Sequence, residues 1–270
     1  MKLLNGKELA EFIKERQAKQ VRVLRQAAGI TPKLAIIQCI EDPVIDTYVR
    51  LKKRYGADIL AEVEHHQVDQ ADIPALLKKL NADDAVHGII VQLPLVDPAQ
   101  TDRIVNLVAP EKDVDALGKD ARFDPATPMA IMWLLAGYNV DLNAKHILLI
   151  GRGKLVGAPL EKMLKNSELD VEVVGREVKD LAARTLEADV IITATGSPAI
   201  LYPDMIKQGA VVVDAGVASE DGKTVGDVAP AVFERDDLTI TPAKGGVGPL
   251  TVCALFENVI RAARAQARKP

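Results

Sequence analysis

The chain has 270 residues, 48% of them hydrophobic, with a formal net charge of −4. That length suits two modest domains or one large one, and the mildly acidic balance gives no reason to expect nucleic acid or an anionic membrane as a partner. No apolar run approaches the roughly 18–20 residues a membrane helix needs, and the charged start MKLLNGKELAEFIKERQAK lacks a signal peptide's apolar block, so a soluble cytoplasmic protein is expected.

The segment GKELAEFIKERQAKQVRVLRQAA has helical period and ends near Gly29. LAIIQCI (34–40) reads as a buried strand, DTYVRLKKRYGA as a helix closing at Gly56, and ILAEVEHH as a second strand. DIPALLKKLNAD follows as a short helix, GIIVQLPL (88–95) as a third strand and AQTDRIVNLVA as another helix. Repeated strand–helix units with continuous apolar strands imply a parallel sheet covered on both faces. Cys39 and Cys253 lie far apart among apolar neighbours, without CxxC or zinc spacing, and read as free buried thiols. His65 and His66 point to opposite faces of a strand, and His87 and His146 are isolated, so no metal site is expected.

A proline-rich turn leads into a helix over 125–140, and KHILLI (145–150) then starts a second series. DVEVVG (170–175), ADVIITATG (188–196) and AVVVDAG (210–216) follow as strands, with LTITPAKGG later and a closing helix GPLTVCALFENVIRAARAQA. The fold class is therefore α/β, with two domains of parallel sheet meeting near 117–125 and the last helix returning to the first. The boundaries expected are 1–120 together with about 250–270, and 121–249.

KHILLI runs straight into GRGKLVG (151–157) and a helix, a turn in which backbone N–H groups can approach a phosphate. The spacing is GxGxxxG rather than GxGxxG, so the motif alone reads equally as a tight strand–helix turn. DVEVVG ends without the acid that holds a ribose 2′-hydroxyl in NAD sites. Arg176 stands there instead, with Arg152 inside the glycine turn. Two guanidiniums suit a 2′-phosphate and argue for NADP, the alternative being surface salt bridges.

In a helical TYVRLKK, Tyr48 and Lys52 are i and i+4 and share a face, while Arg50 and Lys53 point elsewhere. Gln92 interrupts an apolar strand at the edge where ligands bind in open α/β sheets. KDVDAL supplies Asp113 and Asp115 just before the domain junction, as helix caps or as ligand contacts.

YVRLKK, GIIVQLPL, EKDVDAL, PATP, GRGKLVGAPL, ADVIITATGSP, VVVDAGV, VGDV and TPAKGGVGPLT occur in an order and spacing that resemble the bifunctional methylenetetrahydrofolate dehydrogenase/methenyltetrahydrofolate cyclohydrolase family. The resemblance covers essentially the whole chain. It implies a folate-binding catalytic domain, a Rossmann-type NADP-binding domain, an active-site cleft between them, and usually a homodimer. It also implies two reactions: hydride transfer from 5,10-methylenetetrahydrofolate to NADP, then hydrolysis of 5,10-methenyltetrahydrofolate to 10-formyltetrahydrofolate. Lys52 matches the family's catalytic lysine, Gln92 the glutamine that orients it, Tyr48 the tyrosine that stacks on folate, and Asp115 the aspartate that pairs with the pterin. Gly151, Arg152 and Gly153 match the phosphate-binding turn, Arg176 the 2′-phosphate contact and Val217 the nicotinamide contact. Gly246 and Pro249 match substrate-binding positions.

The chain departs from the family in carrying Gly153 where serine is common, Ile45 where serine is common, and Lys244 where proline is typical. Loss of the hydroxyl at position 153 removes one phosphate hydrogen bond, about 1 kcal/mol net. Two rival readings keep the fold: an enzyme dominated by one of the two activities, and a non-catalytic nucleotide-binding module. A module freed from chemistry has no need to keep Tyr48, Lys52, Gln92 and Asp115 together.

Overall fold

The structure, a computed structural model, describes residues 1–220 and 223–267, and the chain divides into two compact units. One unit comprises Glu11–Ala126 with the chain from Val252 onward. Its elements are most of α1 (Gly6–Ala28), β2 (Lys33–Gln38), α2 (Pro43–Asp58), β3 (Glu62–Gln67), α3 (Ile73–Ala82), β4 (Gly88–Val91), α4 (Thr101–Val105) and most of α8 (Val247–Ala267). The other comprises Met1–Ala10 and Thr127–Thr251. It holds β1 (Lys2–Leu3), α5 (Ala126–Gly137), β5 (Ile147–Ile150), α6 (Gly157–Asn166), β6 (Val171–Val174), α7 (Leu181–Glu187), β7 (Val190–Thr193), β8 (Val211–Asp214), the hairpin β9 (Ala218–Glu220) and β10 (Lys223–Val225), and β11 (Thr239–Ile240).

The first unit is built on a parallel three-stranded sheet in the order β3–β2–β4. Its central strand KLAIIQ is buried along nearly its whole length, as a strand covered on both faces must be. Ala35, Ile37, Ile89 and Val91 of β2 and β4 pack with Ile73, Leu77 and Leu80 of α3 in one apolar cluster. The outer strand EVEHHQ is only partly buried. It starts at Glu62 rather than with Ile59, because Leu60 takes a left-handed backbone (φ 66°) that an extended strand does not contain.

The second unit carries a six-stranded sheet, β1–β11–β8–β7–β5–β6, parallel throughout. β5 and β7 are buried at every residue. The chain steps outward from β5 to β6 and then returns to β7 on the other side, so the order reverses between β5 and β7. Such a reversal opens a crevice at the carboxyl ends of the strands, the usual ligand position in this architecture.

Sequence periodicity groups residues 1–120 together, but Met1–Ala10 belong with the second unit. The reason is β1, which pairs in parallel with β11 through Lys2 opposite Thr239 and Leu3 opposite Ile240. Two residues carry no period, so this strand leaves no trace in the pattern. Among the described residues no helix is long and apolar enough to cross a membrane.

Candidate active site

Helix α2 starts earlier than its apolar spacing suggests. Asp42 caps it by accepting from the backbone N–H groups of Val44 and Ile45, and Pro43 occupies the first turn, where its missing donor costs nothing. Ile45, Val49 and Gly56 face inward. A Cβ on Gly56 would stand 2.5 Å from Val63 Cγ2, so the helix lies close against β3. The cations of TYVRLKK divide as their spacing requires. Arg50 donates to Thr47 Oγ1 at 2.8 Å, and Lys53 Nζ lies 3.4 Å from His65 Nδ1. Lys52 alone reaches Gln92, with Nζ donating to Oε1 at 2.8 Å. Tyr48, one turn earlier on the same face, is 38% exposed.

Gln92 stands one residue past β4, held by its N–H to Ile37 O at 2.8 Å, and its Nε2 donates to Leu93 O at 3.2 Å. Both ends of the amide are therefore used, and its oxygen is fixed toward Lys52. The two acids of KDVDAL part company. Asp113 turns back on its own loop and accepts from Gly118 N at 2.8 Å, which makes it a structural cap. Among the described residues Asp115 accepts no hydrogen bond, although its charge acts on Lys52. Asn258 of α8, fully buried, braces this loop by donating from Nδ2 to Val114 O and Asp124 O, each at 2.9 Å.

Loss of solvent around Lys52 pushes its ammonium below the ordinary lysine range, and the Asp115 carboxylate opposes that shift. Asp115 is pushed up by burial, with Lys52 opposing in turn. The site thus holds a lysine brought closer to releasing its proton and an acceptor carboxylate not committed to the protein, both half-buried. A base, an orienting amide, a nearby ring and a free carboxylate are the parts needed to bind a flat polar heterocycle and move a proton on it.

In the second unit, β5 delivers the chain to Gly151, whose φ of +115° suits only glycine and whose Cβ would lie 2.5 Å from Ala194 O beyond β7. A Cβ on Gly157 would lie 2.1 Å from Gly151 O, so the turn closes tightly onto the first turn of α6. This arrangement fits a dinucleotide phosphate: a close strand–helix turn at the sheet's reversal point, with glycine at 151, 153 and 157. Gly153 has open space where its side chain would be, so nothing in the packing requires glycine there. Arg152 donates from Nη2 to Val173 O, anchoring the turn to β6. Arg176 is exposed and forms no ion pair among the described residues, and Val217 is 60% exposed just past β8. Gly246 and Pro249 also belong to this unit. Gly6 at the start of α1 packs so closely on Gly246 that a Cβ would stand 1.8 Å from its carbonyl oxygen, and Lys7 N donates to Gly245 O. Lys244 is exposed, whereas Ile45 is buried.

Three acids have roles that the sequence pattern alone does not reveal. Asp227, fully buried, accepts from Thr195 N at 2.8 Å and Ser197 N at 3.0 Å, clamping the turn after β7. Asp214 accepts from the N–H groups of Gly216, Asp227 and Val228 at 3.0–3.1 Å. Glycine is required at 216 because a Cβ would meet Asp227 Oδ1 at 1.9 Å. The third, Glu177, lies beside Arg152, with Oε1 3.6 Å from its Nε. The motif VGDV held the signal for Asp227, since an acid between glycine and apolar residues needs donors once buried.

Comparison with known proteins gives a consistent result. Residues 4–115 match the family described as tetrahydrofolate dehydrogenase/cyclohydrolase, catalytic domain, and residues 125–267 match the NAD(P)-binding domain of the same name. The bifunctional protein FolD of Campylobacter jejuni (strain RM1221) is 38% identical over 279 residues, covering 98% of this chain and 99% of the relative. A crystal structure of FolD, methylenetetrahydrofolate dehydrogenase/cyclohydrolase, from Campylobacter jejuni superposes with a TM-score of 0.92 at 37% identity, covering 98% and 99% of the two chains. The Trypanosoma brucei FolD structure, complexed with NADP cofactor and an inhibitor, gives a TM-score of 0.92 at 29% identity, covering 99% and 98%.

Proposed function

The chain belongs to the tetrahydrofolate dehydrogenase/cyclohydrolase family, and from that premise we propose how its residues divide the work of two reactions. The protein oxidises 5,10-methylenetetrahydrofolate to 5,10-methenyltetrahydrofolate with NADP and hydrolyses that cation to 10-formyltetrahydrofolate. The observation that carries the hydrolytic half is Lys52, desolvated and held on Gln92 at 2.8 Å.

Lys52, in its amine form, takes a proton from the water that attacks the methenyl carbon and returns one to the ring nitrogen as the carbon–nitrogen bond opens. An ordinary lysine would be protonated near neutral pH and unable to begin this cycle; desolvation, and the positive charge of the substrate itself, favour the neutral amine. Gln92 holds Nζ by one of its N–H groups, which positions the nitrogen and restricts the aim of its lone pair. Tyr48 offers its ring to the flat part of the folate on the same helix face. Asp115, having no hydrogen bond of its own, pairs its two oxygens with the amino and ring N–H groups of the pterin.

NADP, when bound, accepts the hydride. Gly151, Arg152 and Gly153 are assigned to its phosphates, with Arg152 and Arg176 together meeting the 2′-phosphate, and Val217 to its nicotinamide end. The family resemblance also supports a homodimer working in the cytoplasm.

The test is a pair of assays on the purified protein. Methylenetetrahydrofolate is supplied with NADP or NAD and reduction followed by absorbance, and hydrolysis of methenyltetrahydrofolate is followed separately. Both activities with a preference for NADP are expected. Dehydrogenation without hydrolysis would remove the role given to Lys52, and a preference for NAD would remove the roles given to Arg152 and Arg176.

A further inference from the structure

The strand end that receives the adenosine ribose in this architecture is occupied by more than arginine. After β6 the chain turns at Gly175, Arg176 and Glu177, closing with Val178 N on Gly175 O at 3.2 Å. Glu177, although exposed, is tied back to the turn by a hydrogen bond. Its carboxylate folds back over the strand end, and Oε1 accepts from Gly175 N at 3.2 Å. A Cβ on Gly175 would stand 2.5 Å from Glu177 Oε2, so glycine at 175 is what lets the carboxylate lie there. The same carboxylate's Oε1 stands 3.6 Å from Arg152 Nε, while Arg152 Nη2 is held by Val173 O at 2.6 Å. One of the two guanidiniums available to a 2′-phosphate is thus already engaged on two sides. Arg176 is the other, and it forms no ion pair among the described residues.

We propose that Glu177 is a specificity-determining residue, which lowers this protein's discrimination between dinucleotides with and without a 2′-phosphate by competing for Arg152. The argument is one of charge. A 2′-phosphate brings about two negative charges at neutral pH, and it must share Arg152 with a carboxylate already hydrogen-bonded in place. A ribose 2′-hydroxyl brings no charge and meets no such repulsion; a carboxylate at this strand end is an acceptor for it. One residue therefore acts in opposite directions on the two ligands. The pair is well exposed, 57% and 68% for the two side chains, so its effect is modest and falls as salt is added.

The inference rests on the NADP site proposed above, and binding alone tests it. Adenosine 2′,5′-bisphosphate and adenosine 5′-monophosphate are titrated calorimetrically into the wild-type chain and the Glu177→Gln variant, at low and at high salt. In the variant, the bisphosphate is expected to bind about threefold to tenfold more tightly at low salt, with the gain shrinking at high salt. Binding of the monophosphate should stay within about twofold. In an Arg152→Gln background the substitution should yield a smaller gain. Equal responses of the two probes, or a full gain persisting without Arg152, would overturn the proposal while leaving the nucleotide site intact. Failure of both probes to bind the wild-type chain would refute the site and the proposal with it.

Discussion

Lys52 and Gln92, 40 residues apart in the chain, meet through one hydrogen bond of 2.8 Å between Nζ and Oε1. The bond joins a helix residue to the first residue beyond a buried strand, so both side chains start from backbone held in place by secondary structure. An amine held this way has one of its positions taken by Gln92, which narrows the directions in which it exchanges a proton.

Lys52→Met keeps an unbranched apolar stem, one atom shorter, and removes the exchangeable proton. Hydrolysis of methenyltetrahydrofolate should fall by about 100-fold or more, the usual contribution of a positioned acid–base group. NADP binding, measured by calorimetry, should stay within about twofold, because the nucleotide turn draws on other residues. Full hydrolytic activity in this variant would end the assignment.

Asp115→Asn separates binding from proton transfer. The Asp115 carboxylate favours the ammonium form of Lys52, so removing its charge lets the lysine's pKa fall further. The acidic limb of the kcat–pH profile for hydrolysis should therefore move to lower pH. KM for the folate should rise by about 10- to 100-fold from the loss of charge-assisted hydrogen bonds. A limb that moves to higher pH would show that the two groups do not interact with this sign.

Asp227→Asn replaces one of two acceptor oxygens with a donor that faces a backbone N–H. Denaturant unfolding should show a loss of about 2 kcal/mol. The turn at Thr195–Ser197 should loosen, raising KM for NADP by about 10- to 100-fold. Hydrolysis depends on residues of the other unit and should change far less. A matching loss of both activities would mean that Asp227 holds up the whole protein and not the cofactor turn.

His87 provides a pH prediction for stability. It is buried, accepts from Lys33 N through Nδ1 at 3.1 Å, and burial aided by Lys112 and Lys33 brings its pKa down to about 4. Between about pH 6.5 and about 4 the unfolded chain binds this proton and the folded chain does not. Stability is therefore intact above about pH 6.5 and declines as pH falls, by about 3 kcal/mol once about pH 4 is passed. Denaturant titrations at a series of pH values should show this slope in the wild-type chain and a flatter one in His87→Gln.

The sequence makes Lys52 legible through two local irregularities: an aromatic ring one helical turn away and a glutamine interrupting an apolar strand. The alternation of βα units is readable because buried parallel strands form unbroken apolar runs. The split between Asp113 and Asp115 is not readable, since both acids precede a turn and only the path of the loop decides which one caps it. Glu177 is hidden for a related reason. The strand pattern ends where Arg176 stands, while the acid one position later returns through its own side chain. The short strands β1, β9 and β10 are below the length at which alternation can be recognised.

The pairing of β1 with β11 has a consequence for synthesis. Lys2 and Leu3 leave the ribosome long before their partners Thr239 and Ile240. Until those partners emerge, the backbone donors and acceptors of β1 face water or a wrong neighbour. The second unit consequently cannot complete its sheet while most of the chain is still being made. An amino-terminal fusion that pulls on these residues would act on a strand that closes late, and a truncated chain starting after Ala126 would lack that strand altogether. The final ordering of the nucleotide unit is thus a late event, paced by the return of β1 to the last strand of the sheet.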